Sequence, residues 1–87
     1  MEQDIEALKR RFSPLALRRM ALGITLKTLQ QNTGIARQYL NQIERGVNWP
    51  KPTLIVGLAE GMGMTPTEVF DLLLATWTWK RENAEAA

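Results

Sequence analysis

The chain has 87 residues, a formal net charge of +2, and neither cysteine nor histidine. That length makes one domain with a modest core, burying roughly 60–65% of the unfolded chain's surface. The missing residue types exclude disulfides, thiolate zinc sites, iron–sulfur clusters and Cys or His catalysis. The two aspartates, Asp4 and Asp71, stand at opposite ends of the chain, so neither an enzyme nor a cofactor is expected.

The small net charge hides an asymmetry. Lys9, Arg10, Arg11, Arg18, Arg19, Lys27, Arg37, Arg45 and Lys51 lie between positions 9 and 51, where Glu44 is the only acid. Glu2, Asp4 and Glu6 precede this segment, and Glu60, Glu68 and Asp71 follow it. The arrangement suits a protein that turns one face to a polyanion, and equally a set of solvated helix faces. No apolar run approaches the ~18–20 residues of a membrane span. The acidic start MEQDIEA is unlike a signal peptide, so a cytoplasmic location without a membrane partner is expected.

In chain order, Asp4 is positioned to cap a short helix with Ile5, Leu8 and Phe12 on one face. Ser13-Pro14 starts a second, with Ser as N-cap and Pro at the first position; it runs through Leu15 and Leu22 to Gly23. Thr25 caps a third, ending before Gly34, and a fourth begins near Ala36 and ends at Gly46. The prolines of VNWPKP forbid regular structure. A fifth helix follows from Pro52, with Leu54, Ile55, Leu58 and Met62, closed by Gly63. Thr65-Pro66-Thr67-Glu68 forms a capping box that opens the last helix, and Met64 and Val69 occupy its hydrophobic-staple positions. Glycines 23, 34, 46 and 63 each sit where a left-handed C-terminal cap falls. No useful segment alternates with period two, so the expected class is all-α with five or six short helices. Gly57 and Gly61 inside the fifth helix each cost about 1 kcal/mol against alanine. They mark either weakness offset by packing or close approach of another helix.

The fourth helix carries the functional signal. With Arg37 at zero on a wheel of about 100° per residue, Asn41, Arg45, Gln38 and Gln42 spread over about 40–140°. Leu40, Ala36 and Ile43 cluster at about 240–300°, with Tyr39 and Glu44 on the borders. An acid-free face of amides and guanidinium groups can pair with adenine N6/N7 and guanine O6/N7 in the major groove. The Gly turn before it, with Leu40 and Ile43 in step, favours a DNA-reading helix over an ordinary amphipathic one.

From about Leu15 to Leu72 the chain resembles the lambda-repressor-like, Cro-type helix-turn-helix proteins of the XRE family. The likeness rests on LRRMALGIT, on G-I-x4-L-x2-I-E-R-G through the fourth helix, on a Pro after the loop, and on LAEGMGMTPTEVF. The resemblance implies a compact five-helix domain, here with room for an extra short N-terminal helix and an extended C-terminal one. It further implies double-stranded DNA as the partner, and a bacterial or phage repressor that reads the major groove as a homodimer. Carried over by position, Arg37, Gln38, Asn41 and Gln42 would read bases. Thr25, Lys27, Tyr39, Arg45, Asn48, Trp49 and Lys51 would contact phosphates, with the Leu26 backbone beside them. Arg19 and Glu44 would form a structural ion pair. Three positions depart from the pattern. Leu26 replaces a polar residue that touches the DNA backbone, and Gln30 replaces a small one between helices. Ala36 replaces a Ser/Thr cap, a loss of about 1 kcal/mol.

The last helix has more apolar residues than one core stripe can use. Phe70, Leu74, Trp77 and Trp79 are the candidates for a dimer contact, favoured over a tail folded back on its own domain. Residues 1–12 are assigned to an N-terminal extension or short helix, 13–74 to the helix-turn-helix DNA-binding domain, and 75–87 to the helix end and tail, where a dimer contact could form. KRENAEAA is expected to be frayed. Lys9-Arg10-Arg11 fits a phosphate contact and a solvated face equally. The alternative function is an antitoxin-like or adaptor module whose aromatic tail grips a protein partner, a toxin or another regulator.

Overall fold

A computed structural model describes residues 2–86, with side chains over 4–84. These residues form six helices and no strand: α1 (Glu2–Arg11), α2 (Pro14–Ala21), α3 (Leu26–Thr33), α4 (Arg37–Glu44), α5 (Pro52–Met62) and α6 (Pro66–Ala86). The boundaries follow the stop and start signals. Gly23, Gly34, Gly46 and Gly63 all have φ between 68° and 75°. The capping box closes as its residues predict, with Thr65 N–H donating to Glu68 Oε1 (3.0 Å) and Glu68 N–H to Thr65 Oγ1 (3.2 Å). The Thr65 backbone N–H, then its hydroxyl, hold the Glu68 carboxyl below its ordinary pKa.

The start of α2 joins local and tertiary structure. Pro14 has no N–H to satisfy, and Ser13 Oγ accepts from Ala16 N–H at 3.1 Å. The amide left over, Leu15 N–H, donates to Thr76 Oγ1 of α6 at 3.1 Å. Thr76 is fully buried, and its hydroxyl completes a helix end 61 residues away in sequence.

One core joins five helices. It contains Leu15 of α2, Leu29 of α3, Leu40 and Ile43 of α4, Ile55, Leu58, Ala59 and Met62 of α5, and Val69 and Leu73 of α6. Both α2 and α5 pack on α6, while α3 packs on α4 and α5. The helical glycines of α5 divide. A Cβ at Gly61 would stand 2.6 Å from Thr33 Cγ2, so α3 approaches closely there, whereas nothing lies within 4 Å of a Cβ at Gly57.

Both ends of the chain differ from expectation. Asp4 does not cap α1 but lies within it, because the helix already begins at Glu2. Ile5 and Leu8 remain 51% and 46% exposed, since α1 stands outside the core beyond the Ser13-Pro14 break. Lys9 O of α1 accepts a 2.8 Å hydrogen bond from Trp79 Nε1. At the other end, where KRENAEAA is expected to fray, α6 is helical to Ala86, and Ala87 lies outside the described residues. Asn83 Nδ2 donates to Trp79 O (2.8 Å), and the Lys80 stem lies against Gly46. Positions 74 and 75 therefore fall inside one continuous helix. Among the described residues, no helix is long and apolar enough to cross a membrane.

Candidate nucleic-acid interface

The helix-turn-helix is built by α3, a tight turn and α4. Thr25 Oγ1 caps α3 by accepting from Thr28 N–H at 3.0 Å, and the two hydroxyls also bond at 3.0 Å. At the other end Gly34 takes φ 75°, and its N–H donates to Gln30 O. Thr33 Oγ1 spans the corner, donating to Leu29 O (2.7 Å) and accepting from Ile35 N–H (3.1 Å). Ile35 then drops into the core and α4 begins. Ala36 supplies no side-chain cap. Leu26 is half-buried against the core, and the Gln30 side chain is exposed, leaving α3 free to meet its neighbours.

Of the six helices, α4 segregates its polar and apolar residues most sharply. Leu40, Ile43 and Glu44 are buried, Tyr39 and Gln42 half-buried, and Arg37, Gln38, Asn41 and Arg45 exposed. Glu44 turns inward. Arg19 Nε and Nη2 reach its two carboxylate oxygens at 2.6 and 3.1 Å, and Arg19 Nη1 donates to Ile24 O at 2.8 Å. The side chains are only 11% and 8% exposed. This bidentate pair fixes α4 to α2 and to the loop before α3. It also withdraws the only acid of the basic segment from the outward face.

The loop after α4 is tied to it. Val47 and Asn48 N–H groups donate to Gln42 O, and Asn48 Nδ2 donates to Gln42 Oε1. Of the four residues expected to read bases, Gln42 is therefore the one whose side-chain oxygen is already engaged. Arg37, Gln38 and Asn41 share no such tie and stand free on the exposed face. Among the expected phosphate contacts, Thr25, Lys27, Arg45 and Lys51 are exposed, and Asn48 and Tyr39 are half-buried.

Trp49, also expected among the phosphate contacts, is 39% exposed and packs on α6. Its ring makes edge-on contacts with Phe70 and Trp77, each at a centroid distance of 5.7 Å, because edge-to-face aromatic contact offers its area a better neighbour than water. Of the apolar residues expected at a dimer contact, Phe70, Leu74 and Trp77 form one exposed strip at 43, 48 and 40%. Trp79 projects from the other side of α6 and is engaged with α1.

Two residues that sequence reasoning left out reach the neighbourhood of α4: Lys80 and Asn83 share a groove with Asn41 and Arg45. A signal for Lys80 was present in the spacing. Val69, Leu73, Thr76 and Lys80 follow steps of four, three and four, so the buried stripe of α6 continues to the Lys80 stem.

A family model described as Helix-turn-helix matches residues 15–69, from the start of α2 into the first turn of α6. No curated protein and no solved structure gives a significant match.

Proposed function

This chain belongs to the lambda-repressor-like (XRE) helix-turn-helix family of DNA-binding regulators, and we propose that it is a sequence-specific repressor of bacterial or phage origin. In this reading it acts in the cytoplasm on nucleoid DNA, as a homodimer that lays α4 in the major groove and occludes a promoter. The observation that carries the proposal is the inward turn of Glu44 onto Arg19, which leaves the exposed face of α4 with amides and guanidinium groups only. Arg37, Gln38 and Asn41 read base edges, joined by Gln42 once Asn48 yields its oxygen. Thr25, Lys27, Tyr39, Arg45, Asn48 and Lys51 set the register on phosphates.

The strip of Phe70, Leu74 and Trp77, braced by Trp49, supports the dimer. A contiguous exposed aromatic patch on a small domain is costly unless covered, and a two-fold contact covers it on both copies. The same strip favours one other reading, an adaptor or antitoxin that uses it for a different protein. A gel shift on random and operator DNA at low and high salt separates the two. A repressor binds both, loses affinity with salt, and loses discrimination at one base position with Gln38→Ala. Lys51→Ala weakens both duplexes alike and flattens the salt slope. DNA affinity untouched by either substitution would sink the repressor reading. Leu74→Glu in sedimentation equilibrium tests the dimer: a mass unchanged from wild type at every concentration counts against this strip.

A further inference from the structure

Beside α4 lies a groove that the family match does not account for. Arg11, Asn41, Arg45, Trp79, Lys80 and Asn83 line it, and none of its lining residues is acidic. Arg11, Lys80 and Asn83 lie outside the matched residues 15–69. The two ends of the chain are joined here by the 2.8 Å hydrogen bond from Trp79 Nε1 to Lys9 O. That bond anchors the last turn of α1 and so places Arg11, whose guanidinium sits over the Phe12 ring at 5.2 Å. Lys80 is placed by Gly46. A Cβ there would lie 3.2 Å from Lys80 Cβ, tighter than ordinary contact, and 3.5 Å from Thr76 O, so the glycine lets α6 pass closely by the end of α4.

We propose that this groove is a second phosphate-binding strip, in which Arg11, Arg45 and Lys80 grip the DNA backbone where it leaves the C-terminal end of α4. The inference rests on the DNA-binding reading and extends it to residues outside the family's core. Three features carry it. None of the three cations forms an ion pair among the described residues. Asn41 and Arg45 belong at once to the groove and to the outward face of α4, so a duplex lying on that face runs past the groove. Beyond Lys51 the chain has only two cations, Lys80 and Arg81, both on α6, and the first is delivered to this groove. Clustered cations without acid partners repel one another, and a polyanion relieves that repulsion while releasing its counterions.

The test is the salt dependence of binding by the full chain to a short random-sequence duplex, followed by fluorescence anisotropy. Each lost phosphate contact lowers the slope of log K against log salt by about 0.9, or about three- to fourfold in affinity over a fourfold salt range. Arg11→Gln and Lys80→Gln should each lower the slope by that amount, and Lys80→Arg should keep it. Arg10→Gln is the control, because Arg10 is exposed but does not line the groove. Trp79→Phe keeps a ring but removes the tie to Lys9, so adding Arg11→Gln to it should have no further effect. Wild-type slopes in Arg11→Gln and Lys80→Gln, alongside a lowered slope in Lys51→Ala, overturn the strip and leave the DNA reading standing. Loss of slope with unchanged melting temperature supports it; loss of slope only through unfolding, shown by circular dichroism, overturns it. No salt-dependent binding by the wild type would overturn the DNA reading and the strip together.

Discussion

Alanine at Gly57 and alanine at Gly61 should move stability in opposite directions, although both glycines lie in α5. Within a helix the exchange gains about 1 kcal/mol, because alanine loses less backbone freedom on folding. At Gly57 the new methyl meets nothing within 4 Å, so the gain is kept, and a domain of this size should melt about 4–8 °C higher per kcal/mol. At Gly61 the methyl would stand 2.6 Å from Thr33 Cγ2 and 3.1 Å from Leu29 Cδ1. The leucine end can move. Thr33 cannot, because turning its side chain gives up the bonds to Leu29 O and from Ile35 N–H, about 1 kcal/mol each. Overpacking of this kind costs typically about 1–3 kcal/mol, and near the end of α5 the propensity gain is smaller. The net is a loss of about 1 kcal/mol or more. Thermal and urea melts by circular dichroism read both variants. Thr33→Ser removes the offending methyl and keeps the hydroxyl, so in that background Gly61→Ala should recover most of its loss, with a coupling of about 1 kcal/mol. The reasoning is refuted if Gly61→Ala stabilises as much as Gly57→Ala, or if Thr33→Ser brings no relief.

Other perturbations test the remaining joints. Glu44→Ala leaves Arg19 buried without its carboxylate and should cost about 3 kcal/mol in a urea melt; a loss below 1 kcal/mol would mean that water replaces the partner readily. Thr76→Val strands the Leu15 N–H in the core, at a cost of about 1–3 kcal/mol, while Thr76→Ser keeps the acceptor and should lose clearly less. Equal losses in the two would assign the effect to packing and remove the hydrogen bond from the account. The Glu68 carboxyl is held below its ordinary value of 4.5 by the Thr65 N–H. Its contribution is therefore fully present above that value and disappears as pH falls through the lower, folded-state pKa. The stability gap between wild type and Glu68→Gln should shrink on acidification below pH 4.5, and a gap that is flat with pH argues against the capping carboxylate.

Much of this protein was legible in its residues because the signals are local. A glycine that must take positive φ, a Ser-Pro or Thr-Pro-Thr-Glu helix start, and apolar residues at helical spacing each act within a turn or two of chain. Helices α2 to α5, and the start of α6, lie close to where those signals put them. The polar face of α4 could be drawn on a wheel, and the likeness to the family supplied the partnership of Arg19 with Glu44. What remained hidden depends on which distant surfaces meet. A threonine in a helix reads as solvent-facing, and nothing near Thr76 in sequence says that the start of α2 lacks one acceptor. Trp49 looks free in a loop until α6 brings Phe70 and Trp77 against its ring. Gly57 and Gly61 are alike until α3 passes close to only one of them.

For the function, the same division holds along the helix-turn-helix. Side-chain chemistry and a 3.6-residue period by themselves determined that one helix offers amides and guanidinium groups outward and leucine and isoleucine inward, because both properties belong to the helix alone. Only the tertiary structure decided which of those groups are free. Gln42 is engaged by Asn48 because the chain turns back after Gly46, and Glu44 is withdrawn because Arg19 of α2 reaches both of its carboxylate oxygens. Arg11 and Lys80, from opposite ends of the sequence, reach the same groove because Trp79 and Gly46 let α1, α4 and α6 come together there. Contacts between residues far apart in the chain are set by packing, and packing is where the sequence is silent.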